Sequence, residues 1–399
     1  MTLDIFKEKG TPLDKQVFTW RELVQAPTSK LDDDAFTRVR IILMNGLESD
    51  AIRFSHCTAR MMNGEMRLPL AKVRRVEQHQ QTMVNWLLPA DLSPLETTIG
   101  FEQVAIEVTA SVAQHEPDEY MAQVYRFGLL EDFDHLYRFS ALMDRVMGAD
   151  ANNIIQNYSD IMPGRPTMVE HRAPEDDLRD HYDSPTADPL TKIHAITITA
   201  AENQTHDYYM TIGPMFADPI ARQLYAEIAS IEEQHVTQYG SLIDPNESAL
   251  EKWLLHEAME VYNYYGCMEY ETNPRIRDIG ERFVDYELGH LHFVIDLFKE
   301  LENRDPAEVL PQTLPEPIDY QSHRQFVRET LNNEVDLRAS GTQFTHKDDE
   351  PDRSPLSIEY REQMNSEGSP SEIVAAGYTW TPGTELVEEK SAFAKGASA

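Results

Sequence analysis

Ser248-Ala249-Leu250-Glu251 and, further on, Asn273-Pro274 frame one helical hairpin. The first is a capping box: the serine hydroxyl accepts from the backbone N–H three residues on, and the glutamate accepts from the serine's own N–H. The second puts asparagine at the cap and proline at the first helical position. The spacing predicts helices over 248–271 and 273–301. Ile279, Phe283, Tyr286, His290, Phe293, Ile295 and Phe298 draw an apolar stripe along the second, which Glu287 and His290 border. The same signals recur upstream. Ser93-Pro94-Leu95-Glu96 opens a helix to about Gln114, and a second is expected over 118–147. Asp188-Pro189 caps a helix that Gly213-Pro214 breaks, and Asp218-Pro219 caps another to about Tyr239. Hairpin one thus occupies 91–150, and hairpins two and three share 189–305.

The flanks read differently. Residues 1–90 form an N-terminal helical region, with helices over Asp34–Leu47 and 65–87, no recognised motif, and an irregular first 30 residues. Residues 151–188 carry Pro163, Pro166, Pro174 and Pro185 and read as a crossover running over the surface. In 306–399 one short helix is expected over 321–337. From Ser340 an extended or disordered tail, able to wrap a neighbour, is expected. Few segments alternate with period two, so the fold class is all-α.

The 399 residues hold 35 Lys+Arg against 69 Asp+Glu, a net charge of −34, which argues against nucleic acid or anionic membrane as partners. Cys57 and Cys267 cannot build a disulfide framework or a cysteine metal site. The N-terminus shows no basic-then-apolar leader, and no apolar run nears the roughly 20 residues that span a bilayer. The expectation is a soluble cytoplasmic protein. Asp32-Asp33-Asp34 lacks the rest of a calcium loop, and no phosphate-binding or nucleophile-elbow motif occurs.

Three histidines follow an acid by three residues: Asp132/His135, Glu232/His235 and Glu287/His290. Such a pair shares one helix face and can reach one ion. Thirty residues before the acids stand Glu102, Glu202 and Glu257. On an antiparallel hairpin that spacing sets both carboxylates at similar height. Two facing hairpins then offer four carboxylates and two imidazoles to one interior point, the arrangement of dimetal-carboxylate bundles. Oxygen and nitrogen donors favour iron or manganese over thiolate-seeking metals. His56, His79, His206, His256 and His292 read as packing residues, and His171, His181 and His194 as surface or structural ones.

With these residues in view, 193–242 and 250–302 resemble the two halves of a rubrerythrin/ferritin-like di-iron bundle. Glu257 and Glu260 match the paired glutamates of rubrerythrins, and Tyr209 and Tyr265 match the tyrosines near their iron. The resemblance implies a ferritin-like four-helix bundle with extra N-terminal helices and metal ligands Glu202, Glu232, His235, Glu257, Glu260, Glu287 and His290. It also implies two iron ions, or manganese and iron, with Tyr209 and Tyr265 donating hydrogen bonds beside them. The rubredoxin-type four-cysteine domain is missing, so the chain looks like a divergent member served by an external reductase.

The pairing of hairpins stays open. Hairpins two and three are preferred, because ligand types and both tyrosines agree. The 25 residues between Glu232 and Glu257 leave a loop reaching about 28 Å, where about 24 Å is required. The alternative site joins hairpins one and two through Glu102, Asp132, His135, Glu202, Glu232 and His235, with Glu107 and Glu131 as further acids. The expected function is an oxidoreductase activating O2 or peroxide, in a chain that can form a homodimer. The alternative is a non-enzymatic iron-sequestering or structural helical protein.

Overall fold

Eight long helices begin at side-chain caps or close to where the sequence marks them. They are α1 (Ala35–Met61), α2 (Gly64–Asn85), α3 (Pro94–His115), α4 (Glu119–Met147), α5 (Pro189–Ile212), α6 (Pro219–Gly240), α7 (Ala249–Tyr270) and α8 (Pro274–Glu302). Asp34, Ser93, Asp118, Asp188, Asp218, Ser248 and Asn273 each accept a hydrogen bond from the first turn of the helix they cap. The computed structural model describes residues 3–30, 33–62, 64–349 and 355–380.

Consecutive helices pack as hairpins: α1 with α2, α3 with α4, α5 with α6, α7 with α8. The first helix of each hairpin lies at the middle. There α5 packs on α1, α3 and α7, and α1 packs on α3 and α7. Hairpins one and two face each other through α3 with α5 and α4 with α6. Hairpin three faces the N-terminal hairpin through α1 and α7. Where α1 crosses α5 the seam is polar: Asn45 Nδ2 donates to Gln204 Oε1 at 2.7 Å, and Gln204 Nε2 donates to the Ile42 carbonyl at 2.8 Å. One apolar cluster includes Leu254, Phe283 and Leu291, and another Leu129, Phe139 and Leu224.

The all-α class holds, with, among the described residues, one two-stranded antiparallel exception formed by β1 (Leu337–Ser340) and β2 (Gln343–His346). Among the described residues, no helix is long and apolar enough to cross a membrane. Two flanking segments depart from expectation. The crossover after α4 does not stay on the surface, for Arg165, Glu170, His171 and Arg172 are buried. The tail from Ser340 is ordered where it is described: helices Pro355–Met364 and Pro370–Ala375 follow the strands, and the Ser371 N–H donates to Glu227 of α6 at 2.6 Å. Residues 381–399 lie outside the described residues. The short helix expected over 321–337 spans Arg324–Glu334.

The N-terminal segment is a strap on α8. Gly10 has φ +58°, and a Cβ there would lie 2.0 Å from the Asp285 carbonyl oxygen. A Cβ on Gly289 would lie 1.9 Å from the Thr11 carbonyl oxygen. Glycine at both faces lets two backbones touch beside His290.

Candidate metal centres

Four hairpins bring their acids and imidazoles to two separate places. In centre A, Asp132 of α4, Glu202 of α5, and Glu232 and His235 of α6 each place one donor atom within 4.8 Å of the others. Glu102 of α3, His135 of α4 and Glu232 do the same beside them. In centre B the groups are Glu77 of α2, Glu257 of α7 and His290 of α8, and then Glu48 of α1, Glu260 of α7 and Glu287 of α8. All of these side chains are at most 2 % exposed.

The seven ligands expected at one site are therefore divided. Glu202, Glu232 and His235 belong to centre A, and Glu257, Glu260, Glu287 and His290 to centre B. Hairpins two and three do not face one point. Their short link joins neighbouring centres, while hairpin two meets hairpin one, the alternative pairing. Glu107 lies off centre A, accepting from the His323 N–H at 3.0 Å.

Centre A holds its imidazoles from behind. His235 Nδ1 faces Glu232 at 3.1 Å, Asp132 at 3.4 Å and Glu202 at 3.7 Å, while its Nε2 meets Glu131 at 2.7 Å. His135 Nδ1 faces Glu232 at 3.1 Å, and its Nε2 meets Glu170 at 2.8 Å. A carboxylate behind an imidazole fixes the ring and its tautomer, with Nδ1 left as the inward donor. Glu131 is balanced in turn by Arg172 and by Arg165. Glu170 and Arg172 come from the crossover, which is buried here instead of running over the surface. Among its grouped donors centre B has one imidazole, that of His290, and the His256 imidazole lies beside them, its Nδ1 3.5 Å from Glu260 Oε2. His290 Nδ1 faces Glu287 at 3.0 Å, and its Nε2 meets Gln16 Oε1 of the N-terminal strap at 2.7 Å.

Each centre has one tyrosine bonded to its first-helix acid. The Tyr209 hydroxyl donates to Glu102, as expected of a residue beside centre A. At centre B the corresponding donor is Tyr264, to Glu48. Tyr265, the expected residue, is the next along α7, and its phenol is raised by burial first and then by Glu269 and Glu316. Two side chains of α7 turned one residue apart point about 100° away from each other, which is why the neighbour fails.

Several buried carboxylate oxygens accept no hydrogen bond. They include both oxygens of Asp132 and of Glu260, and one each of Glu48, Glu77, Glu102, Glu202 and Glu257. Electrostatics shows the same crowding. Burial, then Glu232, lifts Glu202 to about 7, and burial foremost lifts Glu77 to about 7. Burial, then neighbouring carboxylates, raises Asp132, Glu48, Glu257 and Glu260 well above the usual range, and burial foremost raises Glu102. Glu232 moves the other way: burial opposes its ionisation, but His135 and His235 outweigh it. Both imidazoles are raised, because the surrounding carboxylates outweigh burial. So many acids cannot ionise together without added positive charge, which divalent cations at each centre would supply. The donor set of carboxylates and neutral imidazoles suits iron or manganese.

Glu48, Glu77 and Gln80 were not found from sequence. The signal was present but displaced: Glu48 precedes Glu77 by 29 residues rather than 30, and the residue three after Glu77 is glutamine rather than histidine. The chain matches no protein-family model, no curated protein and no solved structure.

Proposed function

We propose that the chain is a dimetal-carboxylate oxidoreductase acting on O2 or peroxide, built as two ferritin-like four-helix bundles that resemble rubrerythrin. The observation that carries this reading is the set of buried, unsatisfied carboxylate oxygens facing inward imidazole nitrogens at two centres. Hairpins one and two would make the first bundle, and the N-terminal hairpin with hairpin three the second. Iron, or manganese with iron, would supply electron transfer to oxygen or peroxide when bound.

The protein's own residues prepare that chemistry. Glu102, Asp132, Glu202 and Glu232 with His135 and His235 would hold the ions of centre A. Glu131 and Glu170 orient the imidazoles, and the Tyr209 hydroxyl holds a proton against Glu102. Apolar packing excludes bulk water from both centres, which strengthens each electrostatic contact. Electrons would come from an external reductase.

Protein purified without chelator should hold about four iron or manganese ions per chain, two for each centre, by elemental analysis. Trace metal with no uptake of anaerobic Fe(II) would sink the proposal. Fe(II)-loaded protein should oxidise with O2 or H2O2 faster than Fe(II) in buffer. Oxidation at the buffer rate, with metal bound, would favour the sequestering or structural alternative.

A further inference from the structure

The two centres share a register but not a donor set. Glu102 of centre A matches Glu48 of centre B: each lies on the first helix of its hairpin and accepts from a tyrosine. Glu202 matches Glu257, and the pair Glu232/His235 matches Glu287/His290. Asp132 matches Glu77, so the residue that matches His135 is Gln80.

That one exchange changes what the position can bind. In centre A the group at this position is Glu102, His135 and Glu232. In centre B it is Glu48, Glu260 and Glu287. Gln80 Nε2 donates to Glu48 Oε1 at 3.0 Å and also to Glu287, and Gln80 Oε1 is buried without a partner. Whichever end of the amide faces an ion, oxygen is the only donor atom it can offer. The missing nitrogen is replaced by a third carboxylate from another helix. Glu260 stands one turn after Glu257, where centre A has Thr205, whose hydroxyl is turned back to the Ala201 carbonyl at 3.0 Å. Glu260 is fully buried, and neither of its oxygens accepts a hydrogen bond. Beside it stands His256, whose Nδ1 lies 3.5 Å from Glu260 Oε2 and whose Nε2 lies 3.1 Å from Asp50 Oδ2.

We infer that Glu48, Glu260 and Glu287, with the Gln80 amide, form an all-oxygen cation position that prefers a hard divalent ion such as Mn(II), whereas the matching position of centre A, with His135, prefers a later metal. Resting on the dimetal reading above, this makes centre B the mixed-metal centre of the two. The chemistry is ligand softness: imidazole raises affinity for iron, cobalt and zinc, while carboxylate and amide oxygens suit manganese and magnesium. Three carboxylates around one ion also supply more negative charge than two carboxylates and an imidazole.

The test uses the full-length chain, stripped of metal and refilled without oxygen from an equimolar mixture of Mn(II) and Co(II). Anomalous diffraction at the two absorption edges then reads the occupancy of each position. The Co/Mn ratio at Glu48/Glu260/Glu287 should be lower than at Glu102/His135/Glu232 by about tenfold or more. Gln80→His should raise the first ratio toward the second, and Glu260→Gln should empty that position of Mn(II) while both positions of centre A stay filled. Equal ratios at the two centres of the unmodified protein would overturn the inference even if neither variant folds. Metal bound at both centres with equal ratios leaves the dimetal reading standing. No metal at either centre overturns both.

Discussion

Seven residues separate Glu202 from Tyr209, and seven separate Glu257 from Tyr264. On a helix that is close to two turns, so each tyrosine lies on the same face as its acid and reaches the first-helix glutamate opposite. The rule holds at both centres, which makes the two phenols equivalent parts rather than incidental packing. Each buried hydroxyl satisfies an oxygen whose carboxylate partner atom has no hydrogen bond. Removing the Tyr209 hydroxyl leaves Glu102 Oε1 an unsatisfied acceptor in a dry interior, at a cost of about 1–3 kcal/mol, whereas Glu48 Oε1 keeps the Gln80 amide as donor when the Tyr264 hydroxyl is removed. Tyr209→Phe should lower the unfolding free energy of the metal-free protein by that amount in a denaturant titration, and Tyr264→Phe by less. In the Fe(II)-loaded and oxidised protein, Tyr264→Phe should also move the visible absorption of the metal centre, whereas Tyr265→Phe should not. A spectrum moved by Tyr265→Phe and untouched by Tyr264→Phe would reverse the assignment.

At the scale of elements, the decisive quantity is the length of the connections. The link from α6 to α7, Ser241–Ser248, could span a bundle only when almost fully stretched, and in the fold it does not. It joins helices of neighbouring centres. The halves of centre A are joined by the long crossover, and the halves of centre B by everything between α2 and α7. Hairpins one and two thus lie, in sequence, between the N-terminal hairpin and hairpin three. The helices were legible because seven of the eight long ones carry their own side-chain cap, which, like an apolar stripe, is a local signal. The grouped acids and imidazoles of hairpins one to three were legible because Asp/Glu-x-x-His repeats at a fixed interval. The pairing was not, since it depends on which hairpin faces which, a property of tertiary packing. Centre B's N-terminal half stayed hidden because Gln80 removes the histidine that marks the motif. Double substitutions separate the centres. Glu287→Ala/His290→Ala should lose the metal of centre B and keep that of centre A, and Asp132→Ala/His135→Ala should do the reverse. Elemental analysis of each, beside the unmodified protein, reads the outcome. Loss of all metal in Glu287→Ala/His290→Ala, with full metal in Asp132→Ala/His135→Ala, would contradict two independent centres.

Over the whole molecule, the net charge of −34 is not only on the surface. Part of it is gathered at two centres that lie side by side. Asp50 accepts from Asn203 Nδ2, next to Glu202, at 3.0 Å, and holds His256, which faces Glu260. The metal-free protein must keep much of this charge protonated, and that fixes how its stability depends on pH. Glu77 and Glu202 have folded-state values of about 7, above the ordinary 4.5 of a glutamate. For a group raised on folding, the favourable contribution is fully present below the unfolded value and is lost as pH rises through the folded one. The carboxyls raised further, Asp132, Glu48 and Glu260 among them, extend the loss to higher pH, and so do His135, His235 and His290, which are also raised. Glu131 and Glu232 are lowered, and the stability they add is gained below the ordinary glutamate value, outside this window. From pH 5 to 8 the shifts at the two centres therefore act in one direction, each extra proton held by the folded state removing about 1.4 kcal/mol per pH unit, and they outnumber the opposing contributions of His56 and His79, which burial lowers. The metal-free protein should melt at lower temperature at pH 8 than at pH 5.5. Divalent metal competes with those protons, so the rise in melting temperature on adding Mn(II) should be larger at pH 8 than at pH 5.5. Calorimetry at both pH values, with and without Mn(II), measures the four temperatures. A metal-free melting temperature that climbs between pH 5.5 and 8 would mean that these carboxylates are not crowded in the folded protein, and the case for two cation-demanding centres would go with it.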